Sequence, residues 1–208
     1  MADLHWSLFH ETSPYADFDP RPHPDDMQGW GWNERMFRSV IEGIRPNSIC
    51  EVGTWKGASA INMARICREA GLQTKIICVD TWLGSQEHWR AGRDHDWFRS
   101  LKLRHGYPQI YFTFLANVAR HEMQDMIVPL PMPSDIASEI IAAQHLSFDL
   151  IYIDAAHHYD AVLRDLRLFW PLLAAGGVLM GDDYVGWPGV TQAATAFAAE
   201  IKLPLYGE

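Results

Sequence analysis

From Ser48 onward, short apolar runs rich in β-branched residues alternate with longer amphipathic ones. Ser48 to Val52, Lys75 to Val79, Met126 to Leu130, Asp149 to Ile153 and Gly177 to Met180 have the length and continuous apolar character of buried strands. Between and after them, Ala58 to Ala70 (closed by Gly71), Ile110 to His121, Ser134 to Gln144, Ala161 to Leu173 and Val190 to Ile201 read as helices. Alternation of this kind predicts an α/β fold, a doubly wound, mostly parallel sheet with helices on both faces. Two stretches stand outside the pattern. Residues 1–30 are broken by proline and read as an irregular arm, yet they carry Trp6, Phe9, Tyr15, Phe18 and Trp30, so the arm is expected to lie over a groove or a partner subunit. Residues 83–109, dense in Trp, His and Arg, form a lid-like insertion within the domain spanning 31–208.

Composition narrows the class. At 208 residues with 48% hydrophobic content, the chain can bury one sizeable core. Its 26 acids against 17 bases give a net charge of -9, which opposes binding to nucleic acid or an anionic membrane and favours a small-molecule ligand. Cys50, Cys67 and Cys78 are odd in number, lack zinc-type spacing and lie in apolar runs, which suggests a reducing, cytoplasmic setting. No leader-like segment opens the sequence, and no run of 18 apolar residues occurs, so neither export nor membrane spanning is expected.

Ligands of open α/β sheets collect beyond the carboxyl ends of the strands, and the polar clusters of this chain fall there. Glu51-Val52-Gly53-Thr54-Trp55-Lys56-Gly57-Ala58-Ser59 runs from strand through a glycine-containing turn into a helix. Its amides can bind a carboxylate or phosphate, or the segment is simply a tight turn; Gly-x-Gly-x-x-Gly is absent. Asp80 ends the second strand, where an acid can hold a ribose diol or cap a helix, and Trp82 can line an adenine pocket or belong to the core. Asp154 and His157 follow the fourth strand, and Asp182-Asp183 the fifth. Three acids at one sheet edge are costly unless something cationic binds them.

With Glu51-x-Gly53-x-x-x-Gly57-x-Ser59, Val79-Asp80-Thr81-Trp82 and Asp149-Leu150-Ile151-Tyr152-Ile153-Asp154, the chain resembles class I S-adenosylmethionine-dependent methyltransferases, which are Rossmann-like. More narrowly, Asp154-x-x-His157-x-Tyr159-x-x-Val162-x-x-Asp165-Leu166, Gly176 to Tyr184 and Pro188-Gly189-Val190 are similar to the macrocin-type sugar O-methyltransferases and the cephalosporin-biosynthesis group, the methyltransferase family 24-like proteins. The resemblance covers roughly residues 31–200.

It implies S-adenosyl-L-methionine bound by Glu51, Gly53, Thr54, Gly57, Ser59, Asp80, Trp82, Ser134 and Asp154. It also implies Mg2+ or a similar divalent cation on Asp154, Asp182 and Asp183, with His157, beside Asp154, as general base; His158 is the rival candidate. Ser134 stands where the family carries a Gly-Asp-Ser-like segment, but here in Pro131-Met132-Pro133-Ser134-Asp135, and a helix cap explains it equally well. Asp154 has the alternative of an ion pair with Arg164, and Arg90, Arg93, Arg99 and Arg104 that of ordinary surface charge. Because class I members continue with two more strands, this sheet is expected to lack the last antiparallel ones. The expected activity is divalent-metal-assisted O-methylation of a hydroxylated small molecule by a homo-oligomer. The alternatives are a metal-independent methyltransferase and a non-catalytic nucleotide-binding or assembly subunit.

Overall fold

The computed structural model describes residues 4–29 and 34–207. Strands β1 (Ser48–Val52), β2 (Lys75–Asp80), β3 (Ile127–Pro131), β4 (Phe148–Ile153) and β5 (Leu173–Gly181) form one parallel sheet in the order β3-β2-β1-β4-β5. The chain starts in the middle and winds out first one way and then the other, so the strand order reverses beside β1. Every residue of β1 is buried, as a centre strand covered on both faces requires.

The helices are α1 (Glu34–Ile44), α2 (Ala58–Glu69), α3 (Gln86–Arg90), α4 (Asp96–Ser100), α5 (Ile110–Arg120), α6 (Ser134–Ala143), α7 (Tyr159–Phe169) and α8 (Pro188–Ile201). Side-chain alternation along the strands splits the core in two. Ile49, Ile76, Cys78, Leu150 and Tyr152 pack under α1, α2 and α5, whereas Val52, Ile77, Val79, Ile151 and Ile153 pack under α6, α7 and α8. The doubly wound α/β expectation is therefore met, and all strand pairs are parallel. Cys50, Cys67 and Cys78 are free and buried. Among the described residues, no helix is long and apolar enough to cross a membrane.

Two local features depart from the sequence pattern. The helix expected to reach Leu173 ends at Phe169, because Pro171 has no amide hydrogen to continue it, and Trp170–Leu172 tighten into a 3-10 turn. Leu173 already pairs with Phe148, but the next pair is Leu150 with Val178, so residues 174–177 loop out of the edge strand. The other departure is α1, for which the strand-helix alternation assigned nothing. Its Phe37 and Ile41 are fully buried, each contributing about 1.5–3 kcal/mol, and Phe37 meets the Tyr152 ring edge-on at 5.0 Å.

Residues 4–29 are irregular apart from a 3-10 turn at Trp6–Leu8, and they lie along the β3 edge. His10 Nε2 bonds the Pro129 carbonyl at 2.7 Å, and the Tyr15 hydroxyl donates to that of Ile127 at 3.0 Å. Arg120 in turn donates to the carbonyls of Pro20, His23 and Pro24. Covering a sheet edge in this way blocks stray strand pairing. Trp30, counted among the arm's aromatic residues, lies outside the described residues.

Candidate active site

A cavity of about 540 Å³ opens beyond the carboxyl ends of β1, β2 and β4. It has the size and position of a small-molecule site in an open α/β fold. Gly53 leaves β1 with φ +86°, and a Cβ there would lie 1.9 Å from the Asp154 carbonyl oxygen, so only glycine lets the β1 and β4 ends approach this closely. The turn behind it is closed by its own hydrogen bonds. Asp80 accepts the amides of Thr54 (2.9 Å) and Trp55 (2.8 Å) on one carboxylate oxygen and that of Trp82 (2.7 Å) on the other. Burial pushes the Asp80 carboxyl up, and these amides offset only part of that rise.

Of the residues expected around the cofactor, Gly53, Thr54, Ser59, Asp80, Ser134 and Asp154 line the cavity. Glu51, Gly57 and Trp82 do not. Glu51 lies fully buried beneath the turn, accepting a hydrogen bond from Ser59 and lying 3.6 Å from the Cys78 thiol; burial raises its carboxyl to about 7. Trp82 is core, 1% exposed between Tyr111 and Phe114, with its indole N–H donated to the Trp55 carbonyl. Ser134 opens α6 but is not its cap, since Pro133 holds that position; its hydroxyl donates to Asp165 at 2.7 Å.

At the β4–β5 end, the Tyr152 hydroxyl stands between Asp182 (2.9 Å) and Asp154 (3.4 Å). Burial and the carboxylates around it push the phenol pKa far up, so it remains a donor. Asp154 is pushed well above the carboxylate range, first by burial and then by Asp182, Asp183 and Glu51. The other carboxylate oxygen of Asp182, Oδ1, accepts the Asp183 amide at 2.7 Å. Asp183 itself faces His157, with 3.0 Å from Oδ2 to Nε2. Asp183 raises the His157 pKa by hydrogen bonding, against the opposing effect of burial.

His157 also stacks flat on Trp187, with ring centroids 4.1 Å apart. Its Nδ1 lies 3.8 Å from Glu87 of α3, too far for a hydrogen bond. His158 is more exposed, pairs with Glu87 at 3.5 Å and contacts Gln86. Among the described residues, no group of three or more His, Cys, Asp or Glu side chains converges on a metal position. Asp154 and Asp183 line the cavity, and Asp182 stands behind Tyr152. Arg164 pairs with Asp165 rather than Asp154, and Arg99 with Asp94 and Asp96.

The sequence pattern assigned no site role to Tyr152, Glu87, Asp165, Trp187 or Gln28, although Tyr152 and Asp165 fall within the motifs. Tyr152 had a usable signal, since it sits two residues before Asp154 and therefore faces the same side of β4. Glu87 and Gln28 lie in the insertion and the arm, where no periodicity indicates a facing direction.

Strand order, glycine turn and cavity position together define a class I methyltransferase architecture. The family model described as "Methyltransferase domain" matches residues 50–184, and the chain belongs to that family. The O-methyltransferase NovP superposes with a TM-score of 0.59 at 18% identity, over 93% of this chain and 83% of that one. An O-methyltransferase from Bacillus cereus, solved with SAH, gives 0.55 at 18% identity over 90% and 73%. Among curated sequences, the rhamnosyl O-methyltransferase of Mycobacterium tuberculosis (strain ATCC 25618 / H37Rv) is 23% identical over 152 residues, 73% of this chain and 50% of that protein. The uncharacterized protein y4gI of Sinorhizobium fredii is 26% identical over 144 residues, 69% of this chain and 14% of that protein. The chain thus spans only part of the length of the curated relatives it matches.

Proposed function

We propose that the protein transfers the methyl group of S-adenosyl-L-methionine to a hydroxyl of a small molecule. The observation that carries this reading is the Asp183–His157 pair at the mouth of the cavity, next to a turn closed on Asp80. Asp183 and His157 would act as a pair, with Asp183 stabilising the imidazolium that forms when His157 takes the acceptor hydroxyl's proton. The methyl group would pass from sulfur to that oxygen while Gly53, Thr54, Ser59, Asp80, Ser134 and Asp154 fix the donor and Trp187 fixes the imidazole plane.

Asp154, Asp182 and Asp183 fit a hard divalent cation in donor chemistry and in charge, since burial and then the two neighbouring acids resist the ionisation of Asp154. Such an ion would supply Lewis acidity to the acceptor oxygen. Asp154, Asp182 and Asp183 would be the residues that hold it, with the Tyr152 hydroxyl donating to Asp182 at 2.9 Å. A second reading, methyl transfer without metal, is favoured by the absence of a converged ligand set among the described residues.

The test is calorimetric titration with S-adenosylhomocysteine followed by assay of pooled hydroxylated acceptors in chelator and in Mg2+. Binding with Mg2+-dependent transfer that Asp182→Asn reduces is expected. Equal turnover in chelator replaces the metal reading with the metal-free one, and failure to bind S-adenosylhomocysteine overturns both.

A further inference from the structure

Four amides of the glycine turn are already committed within the protein. The amides of Thr54 and Trp55 go to Asp80, that of Gly53 to the Val79 carbonyl and that of Gly57 to the Thr54 carbonyl. A methyl donor of the amino-acid type nevertheless brings a carboxylate to this end of the cavity, and an anion enclosed without donors is costly.

The arm places a donor there. Lys56, in the turn, is 1% exposed, and its ammonium donates to Asp26 at 2.9 Å and to the side-chain oxygen of Gln28 at 2.6 Å. Lys102 of the insertion bonds the same Asp26 carboxylate. Asn117 of α5 ties the backbone together from below, its amide donating to the carbonyls of Asp26 and Lys56, each at 2.8 Å. An ammonium can only donate, so Lys56 fixes which end of the Gln28 amide faces it. The Gln28 NH2 group is left without a protein partner among the described residues, and Gln28 and Gly29 line the cavity.

We propose that Gln28 is a cofactor-binding residue, its side-chain N–H groups receiving the α-carboxylate of the methyl donor, with Asp26 as the positioning residue that clamps the arm to Lys56 and Lys102. This rests on the methyl-donor reading above. It also gives the arm a role in the site, since Gln28 and Gly29 form part of the cavity wall.

Two ligands separate the cases, S-adenosylhomocysteine and 5′-methylthioadenosine, which lacks the amino-acid carboxylate. Calorimetry on the full chain and on Gln28→Glu and Gln28→Ala, each checked for native thermal unfolding, gives the affinity ratio. Gln28→Glu, which replaces the donor with a second carboxylate, is expected to weaken S-adenosylhomocysteine about tenfold or more and to leave 5′-methylthioadenosine unchanged. Gln28→Ala is expected to fall between. An unchanged ratio in both variants overturns the role of Gln28 while leaving the methyltransferase reading intact. Failure of the unmodified protein to bind S-adenosylhomocysteine overturns the reading itself.

Discussion

Asp80 and Asp154 end strands on either side of β1, both border the same cavity, and their surroundings are opposite. Asp80 is held by the amides of Thr54, Trp55 and Trp82, so its charge is matched by fixed donors and the turn around it is closed. Asp154 has one hydroxyl at 3.4 Å and faces Asp182, Asp183 and Glu51, all of which resist its ionisation. One carboxylate is part of the scaffold, and the other is a carboxyl whose ionisation is resisted at the place where chemistry is proposed. A single strand-end position in this fold therefore serves either purpose, and the donors around it decide which.

The two halves are joined where β1 and β4 nearly touch, so the largest effect comes from forcing them apart. Gly53→Ala would set a methyl group 1.9 Å from the Asp154 carbonyl oxygen at a left-handed φ of +86°. The left-handed backbone alone costs about 1–2 kcal/mol, and the contact must be relieved by backbone movement. The expected outcome is loss of most of the folded population in urea unfolding. Wild-type stability in this variant would mean that the strand ends are not rigidly joined.

The comparison itself is tested by the same isosteric change on each side. Asp80→Asn cannot accept all three amides, and it is expected to lower unfolding free energy by about 1–3 kcal/mol. Asp154→Asn replaces a carboxyl that burial and the neighbouring acids keep from ionising, so it is expected to leave stability unchanged or raised while methyl transfer falls. Equal destabilisation by both substitutions in urea titrations would erase the distinction drawn between them.

Much of this was legible in the sequence because the strands are continuous apolar runs, and the acids at 80, 154, 182 and 183 close them. Which acid is satisfied was not legible. The Thr54 and Trp55 amides reach Asp80 only because β1 and β2 end side by side, a fact of register that no local pattern carries. Trp82 and Glu51 illustrate the same limit. Both belong to motif segments, yet one side chain turns into the core and the other under the turn. Helix α1 had an apolar stripe at Phe37, Val40, Ile41 and Ile44, but it precedes the strand-helix alternation that organised the reading. Gln28 shows its role only when Lys56 is seen to grip it.

A smaller, graded effect sharpens the contrast through pH. Glu51 lies beneath the junction, and burial lifts its carboxyl from about 4.5 to about 7. Between those values the folded chain holds a proton that the unfolded chain has released, so stability contributed by this group falls as pH rises through the window. The slope is at most about 1.4 kcal/mol per pH unit from one group. Asp26 has the opposite sign. Burial pushes its carboxyl up, but hydrogen bonds from Lys102 and Lys56 prevail and hold it at about 2, so its contribution is present above 3.8 and is lost as pH falls toward 2. Glu51→Gln is therefore expected to flatten the fall in unfolding free energy between about pH 4.5 and 7. It should leave the acid limb below 3.8, to which Asp26 contributes, unchanged. A Glu51→Gln profile parallel to wild type across the upper window would show that the buried acid is ionised throughout. The charge opposing Asp154 would then include Glu51 at every pH where the protein works.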